Sequence, residues 1–72
     1  SPVKTSLNVL FNTGTAKGVI AVYNMQGNKV ITKSIDGITQ TTVDVSRLAP
    51  GTYTIEYRND KEVVRERFVK VD

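Results

Sequence analysis

The stretch Leu48-Ala49-Pro50-Gly51-Thr52-Tyr53-Thr54-Ile55-Glu56-Tyr57-Arg58 decides how the chain is read. Pro50 fixes its φ near about −65° and Gly51 accepts conformations that other residues resist, so the pair suits a type II turn. Leu48, just before the turn, is placed to drop into a core. After the turn the residues alternate. Tyr53, Ile55 and Tyr57 fall on one face and Thr54, Glu56 and Arg58 on the other, which is the period of a strand with one wet side. A tyrosine at such a corner often sends its hydroxyl back to the upstream backbone, so Tyr53 is expected to be structural. The competing reading, a ligand-stacking tyrosine, has to set aside its phase with Ile55 and Tyr57.

Working outward, the same period recurs. Leu7, Val9 and Phe11 share a face of Ser6–Phe11. Residues 12–18 are rich in turn formers, and Val19 to Asn24 form an apolar run expected to be buried on both faces or nearly so. Met25-Gln26-Gly27-Asn28 reads as a hairpin turn with Gly27 at positive φ, and Lys29–Ser34 as the returning strand. Asp36-Gly37 reads as another turn, Thr41–Val45 as a β-branched strand with Val43 and Val45 on one face, and Asn59-Asp60-Lys61 as a tight turn. Glu62–Val71 is the last strand. Its phase is open: Val64, Glu66 and Phe68 share one face, while Val63, Arg65, Arg67, Val69 and Val71 share the other. No window of about 11 residues fits a helical period. The pattern predicts an all-β, Ig-like antiparallel β-sandwich of about seven short strands, with residues 1–72 forming one domain.

Composition narrows the chemistry. The 72 residues contain no Cys, His or Trp. Disulfides, Cys/His zinc sites, thiolate nucleophiles and Ser-His-Asp triads are therefore excluded. Nor does any apolar run approach the about 20 residues of a membrane helix. The net charge of +3 is spread thinly. Lys4, Lys17, Lys29 and Lys33 are the charged residues of the first 35, and residues 56–72 carry five charges of each sign. Dispersed lysines on strand edges discourage aggregation, whereas nucleic-acid binders cluster Arg and Lys among aromatics. No nucleic-acid partner, cofactor or metal is expected. Asp36 and Asp44, with Glu56 at the start of the balanced tail, are the candidate acids, and a facing catalytic pair has little room in so small a sandwich. Tyr23, Tyr53 and Tyr57 could form a sugar platform, but a chain with 5 aromatics needs them for its core. The start at Ser1-Pro2, without Met or signal peptide, is expected of a piece processed or excised from something longer.

Three segments in order resemble a known family. They are Tyr23-Asn24-Met25-Gln26-Gly27-Asn28-Lys29-Val30, then Val43 to Tyr53, then Arg67-Phe68-Val69-Lys70. The sequence is similar to the type A C-terminal sorting domains of the Bacteroidetes type IX secretion system, and Pro2-Val3-Lys4 with Leu7 and Val9 looks like that family's first strand. It departs from many members in having Ser1 before Pro2 and Val71-Asp72 after the terminal Lys. Small secreted Ig-like Bacteroidetes proteins and fibronectin type III modules are weaker matches.

The resemblance implies a non-enzymatic address at the C-terminus of a larger exported protein. Such a domain crosses the periplasm and is read by the outer-membrane translocon. It is then usually cleaved, by a sortase-like peptidase, as the cargo reaches the cell surface. The family pattern assigns Leu48, Gly51 and Tyr53, with Arg67, Phe68, Val69 and Lys70, to the signal, and Tyr23, Gly27 and Val30 to a hairpin motif. Partners would be the secretion machinery, without membrane insertion. A glycan-binding module is the alternative. A weak strand-mediated dimer is also expected, since the last strand is poorly phased and the core is thin.

Overall fold

The computed structural model describes residues 2–11 and 16–72. Its elements are β1 (Pro2–Val3), β2 (Ser6–Leu10), β3 (Ala16–Tyr23), β4 (Lys29–Ile38), β5 (Gln40–Asp44), β6 (Gly51–Arg58) and β7 (Val63–Lys70). They form a five-stranded sheet, β1-β7-β6-β3-β4, and a two-stranded sheet, β2-β5. The all-β sandwich expected from the alternation is present, with one change. β1 runs parallel to β7, so the large sheet is mixed and not purely antiparallel. The chain enters along the β7 edge, then crosses over Lys4–Thr5 to the other sheet. What reads as one opening strand is thus two short ones in different layers.

The core lies between the sheets. Ile20 and Val22 from β3 join Val43 of β5 and Val45 just after it, and all four are fully buried. Ala16, Ile35, Tyr53 and Phe68 complete the buried cluster, with Leu7, Val9 and Phe11 packed against it. The apolar run is buried on both faces at Ile20, Ala21 and Val22, as its composition predicts, whereas Val19 at its start is exposed. The strand begins earlier than expected, at Ala16, because Ala16–Gly18 pair with β4. Of the loop predicted at 12–18, residues 16–18 are strand and residues 12–15 lie outside the described residues.

Two turn assignments shift. Asp36-Gly37 is not a turn: β4 continues to Ile38, and the register slips between Ala16/Ile38 and Lys17/Asp36, leaving Gly37 as the extra residue at φ 68°. A glycine there forms a bulge without the strain a side chain would bring. The bulge bends β4 toward the crossing at Thr39, where the chain passes into the small sheet. At the other corner, the reversal is made by Val45–Leu48, with the Leu48 amide donating to the Val45 carbonyl at 3.0 Å. Gly51 has φ 154°, far from the value of about +80° that a type II turn requires, so Gly51 opens β6 instead of closing that turn, in a positive-φ conformation that side chains resist as expected. The hairpin turn at 25–28 forms as expected. Gly27 has φ 86°, and the Asn24 side-chain oxygen accepts from the Gln26 and Asn28 amides.

Gly18 is required by contact instead of by turn geometry. A Cβ there would collide with the Arg58 carbonyl oxygen and press on the Tyr57 ring at 3.1 Å. Backbone atoms cannot yield as a side-chain tip can. Gly18→Ala should therefore destabilise the domain by about 1–3 kcal/mol. Ile20→Ala should cost about 2–5 kcal/mol, enough to unfold much of so small a domain. Urea denaturation followed by circular dichroism checks both.

Candidate functional site

The corner and the terminal strand, separated by more than a dozen residues in sequence, meet in space. β6 pairs antiparallel with β7 so that Gly51 lies opposite Lys70, and Tyr53 opposite Phe68. The Tyr53 and Phe68 rings stack, with centroids 5.6 Å apart and planes 21° apart. Tyr53 donates its hydroxyl hydrogen to the Ala49 carbonyl at 2.6 Å, closing the corner as its position predicts. Leu48 is half-buried against the same cluster.

This contact resolves the phase of the last strand. Phe68 faces inward and Val64 and Glu66 share its side, with no register shift along β7. Phe68 and Lys70 are buried. Lys70 is only 3% exposed, and its ammonium donates to the Val71 carbonyl at 3.1 Å. Arg67 and Val69 point to the outer face, where Val69 is 41% exposed and Arg67 makes no ion pair among the described residues. The terminal segment therefore alternates between residues that anchor and residues that are displayed.

The outer face of β6-β7 holds the surprise. Glu56, predicted on a wet face, is 4% exposed. It sits opposite Ala21 on one side and Arg65 on the other. Arg65 donates its Nε hydrogen to Oε2 at 2.8 Å and Arg58 to Oε1 at 3.3 Å. The small Ala21 side chain leaves room for the carboxylate, and the two arginine stems roof it over. The alternation alone cannot see this, because it reports the face and not what crosses it. The Arg65 hydrogen bond, followed by that of Arg58, holds the Glu56 carboxyl below the ordinary glutamate range against the opposing effect of burial.

The hairpin residues separate. Tyr23 is in the cross-strand row Tyr23–Thr54–Arg67, so it shares the outer face with the terminal arginine. The Lys29 ammonium lies 6.0 Å from its ring centroid. Gly27 lies in the turn beyond this row, and Val30 is the bulged residue between Val22/Ile31 and Tyr23/Lys29. The tyrosine platform does not assemble, because Tyr53 and Tyr57 face the core side and Tyr23 the outside. Tyr57 packs on Phe11 with centroids 5.0 Å apart, accepts from the Asn59 amide group and donates to the Lys17 carbonyl. The acids are also apart. Asp44 caps Ser46, accepting from its hydroxyl at 2.7 Å and its amide at 2.9 Å, which lowers its pKa with a smaller contribution from Arg47. Asp36 is exposed on β4. Among the described residues no group of acids is placed to hold a metal ion.

β7 is an edge strand over most of its length. The Asn59 amide bonds the Glu62 carbonyl, so even-numbered residues of β7 direct their backbone groups to β6. The Val71 amide bonds the Val3 carbonyl on the opposite side. β1 pairs with Val69 and Lys70 alone, which leaves the backbone groups of Val63, Arg65 and Arg67 directed outward along the edge.

A family model for the secretion system C-terminal sorting domain matches residues 1–71. The chain belongs to that family. It is a C-terminal sorting domain of type IX secretion, a signal for export to the cell surface or extracellular space, and its family is not a catalytic one. No curated protein matches the sequence.

Tyr53→Phe should cost the sorting domain about 1–2 kcal/mol, because the part-buried Ala49 carbonyl loses its donor. Urea denaturation measures it. The ion triad adds a pH dependence. Since Glu56 has a lowered folded-state pKa, its contribution is complete above the unfolded value of about 4.3 and is lost as pH falls through the folded value. Stability of the wild type should therefore fall more steeply than that of Glu56→Gln below roughly pH 5, as thermal melts across pH would show.

Proposed function

We propose that this chain is a non-enzymatic, type A address that directs a larger cargo protein through the outer-membrane type IX translocon to the cell surface, and that the translocon reads it mainly through β7. Its partners are then proteins of that machinery, met after transit through the periplasm. A sortase-like peptidase cleaves upstream, and the open edge of β7 allows a weak strand-mediated dimer.

The observation that carries this reading is the alternation along the terminal segment. Phe68 and Lys70 are buried, while Arg67 and Val69 are displayed next to an edge whose backbone groups at Val63, Arg65 and Arg67 are free among the described residues. The signal residues thus divide by role. Leu48, Gly51, Tyr53, Phe68 and Lys70 build the corner and fix the strand. Arg67 and Val69, with Tyr23 in the same outer face, are what a receptor touches. A tyrosine-based glycan site draws no support from side chains that face opposite sides of the sheet.

The test fuses residues 1–72 to a passenger in a bacterium that has this system. Wild-type fusion should place the passenger on the surface. Arg67→Glu with Val69→Asp should hold it in the periplasm while the purified domain keeps its wild-type circular dichroism and melting temperature. Surface delivery by the double variant would sink the β7 reading. Retention of the wild-type fusion in the periplasm would sink the address itself.

A further inference from the structure

The two sheets are unequal, and the small one is closed along one flank and open along the other. On the β4 side, Lys33 reaches across and donates to the Thr42 carbonyl at 2.9 Å, covering the outer edge of β5. On the β7 side, no such bridge occurs among the described residues. A groove of about 500 Å³ opens there between β2 and the inner face of β7.

Its upper wall is a free strand edge. The Val45 amide bonds the Thr5 carbonyl and the Phe11 amide bonds the Thr39 carbonyl, so the odd-numbered residues of β2 are the ones that exchange bonds with β5. The N–H and C=O groups of Ser6, Asn8 and Leu10 consequently point away from β5 and have no backbone partner among the described residues. Leu10 is 70% exposed at this edge. The floor is apolar, built from Leu7, Val9, Ile55 and Tyr57. The lower wall is β7, where Glu62, Val64 and Glu66 line the groove in the order acid, apolar, acid, with Arg67 bordering it beside Glu66. Val64 is 47% exposed, and neither carboxylate forms an ion pair among the described residues.

These walls match an extended strand. Facing sheets pack about 10 Å apart, and a strand added to the β2 edge would lie over β7 at that spacing. The five residues of β2 offer about 17 Å of edge, and Glu62 to Glu66 span about 13 Å of it. The inward side chains of such a strand alternate with the same period as Glu62, Val64 and Glu66. We propose that the groove receives an extended segment of a partner protein, which joins β2 as a third strand and sets Lys or Arg against Glu62 and Glu66 on either side of an apolar residue over Val64. This goes beyond the sorting reading, since the domain is here the acceptor of a strand. The binding test below gives its answer whether or not the chain directs export.

Two fluorescently labelled peptides of about seven residues test it by anisotropy titration of the chain. One carries Lys-Thr-Val-Thr-Lys at its centre, and the other replaces both Lys with Glu. The Lys peptide should bind saturably, with the Glu peptide at least about tenfold weaker. The variant E62Q/E66Q should lose about tenfold in affinity for the Lys peptide with its circular dichroism unchanged. With the Lys peptide at saturation, amide exchange in wild-type protein should slow at Ser6, Asn8 and Leu10. Equal binding of the two peptides, no saturable binding up to about 5 mM, no effect of E62Q/E66Q, or unchanged exchange at those three amides would each overturn the proposal. So would a concentration-dependent dimer, seen by light scattering, that the Lys peptide dissociates, because the occupant would then be a second copy.

Discussion

The stacking of Tyr53 on Phe68, held in register by the β6–β7 ladder, is the contact on which the rest of the structure depends. It joins the corner before β6 to the last strand, and the tyrosine hydroxyl ties the same ring to the corner backbone. In a chain without disulfides the core must be closed by packing alone, and a small domain has little to spare. A pair of aromatic rings buries more apolar surface per residue than aliphatic side chains can, and their mutual geometry adds directional preference. That contact places Phe68 inward, and from it follows the outward display of Arg67 and Val69.

The same constraint gives the proposed signal residues a physical division of labour. On the reading proposed above, the signal residues need not all be touched by a receptor. Tyr53, Phe68 and Lys70 are buried and would act through the shape of the strand, while Arg67 and Val69 lie on its surface. Loss of sorting on changing a buried member and loss on changing a displayed one would therefore have different causes, the first a deformed strand and the second a missing contact.

The outer face shows how a charged group can be built into a thin sheet. Glu56 is covered by the stems of Arg58 and Arg65 and satisfied by their guanidinium groups, so its burial leaves no unpaired charge. Breaking such an arrangement on one side is costly even where the intact pair contributes little. The inner face of β7 is the contrast. There Glu62 and Glu66 line an open groove below the free edge of β2, and the sandwich is incomplete along that flank.

What the sequence determined by itself was the local period. Alternation in Leu7–Phe11, Val43–Val45 and Tyr53–Tyr57 specifies strands and their inward faces, and Gly27 and the Asn59 turn specify two hairpins, because these depend on neighbours along the chain. The tyrosine corner was legible for the same reason. The tertiary structure decided what depends on distant partners. The parallel pairing of β1, the bulge that carries β4 through Gly37, the burial of Glu56 and the phase of β7 all require knowing which strand lies alongside. Phe68 faces inward because Tyr53 is opposite it, and no pattern within Glu62–Val71 contains that information.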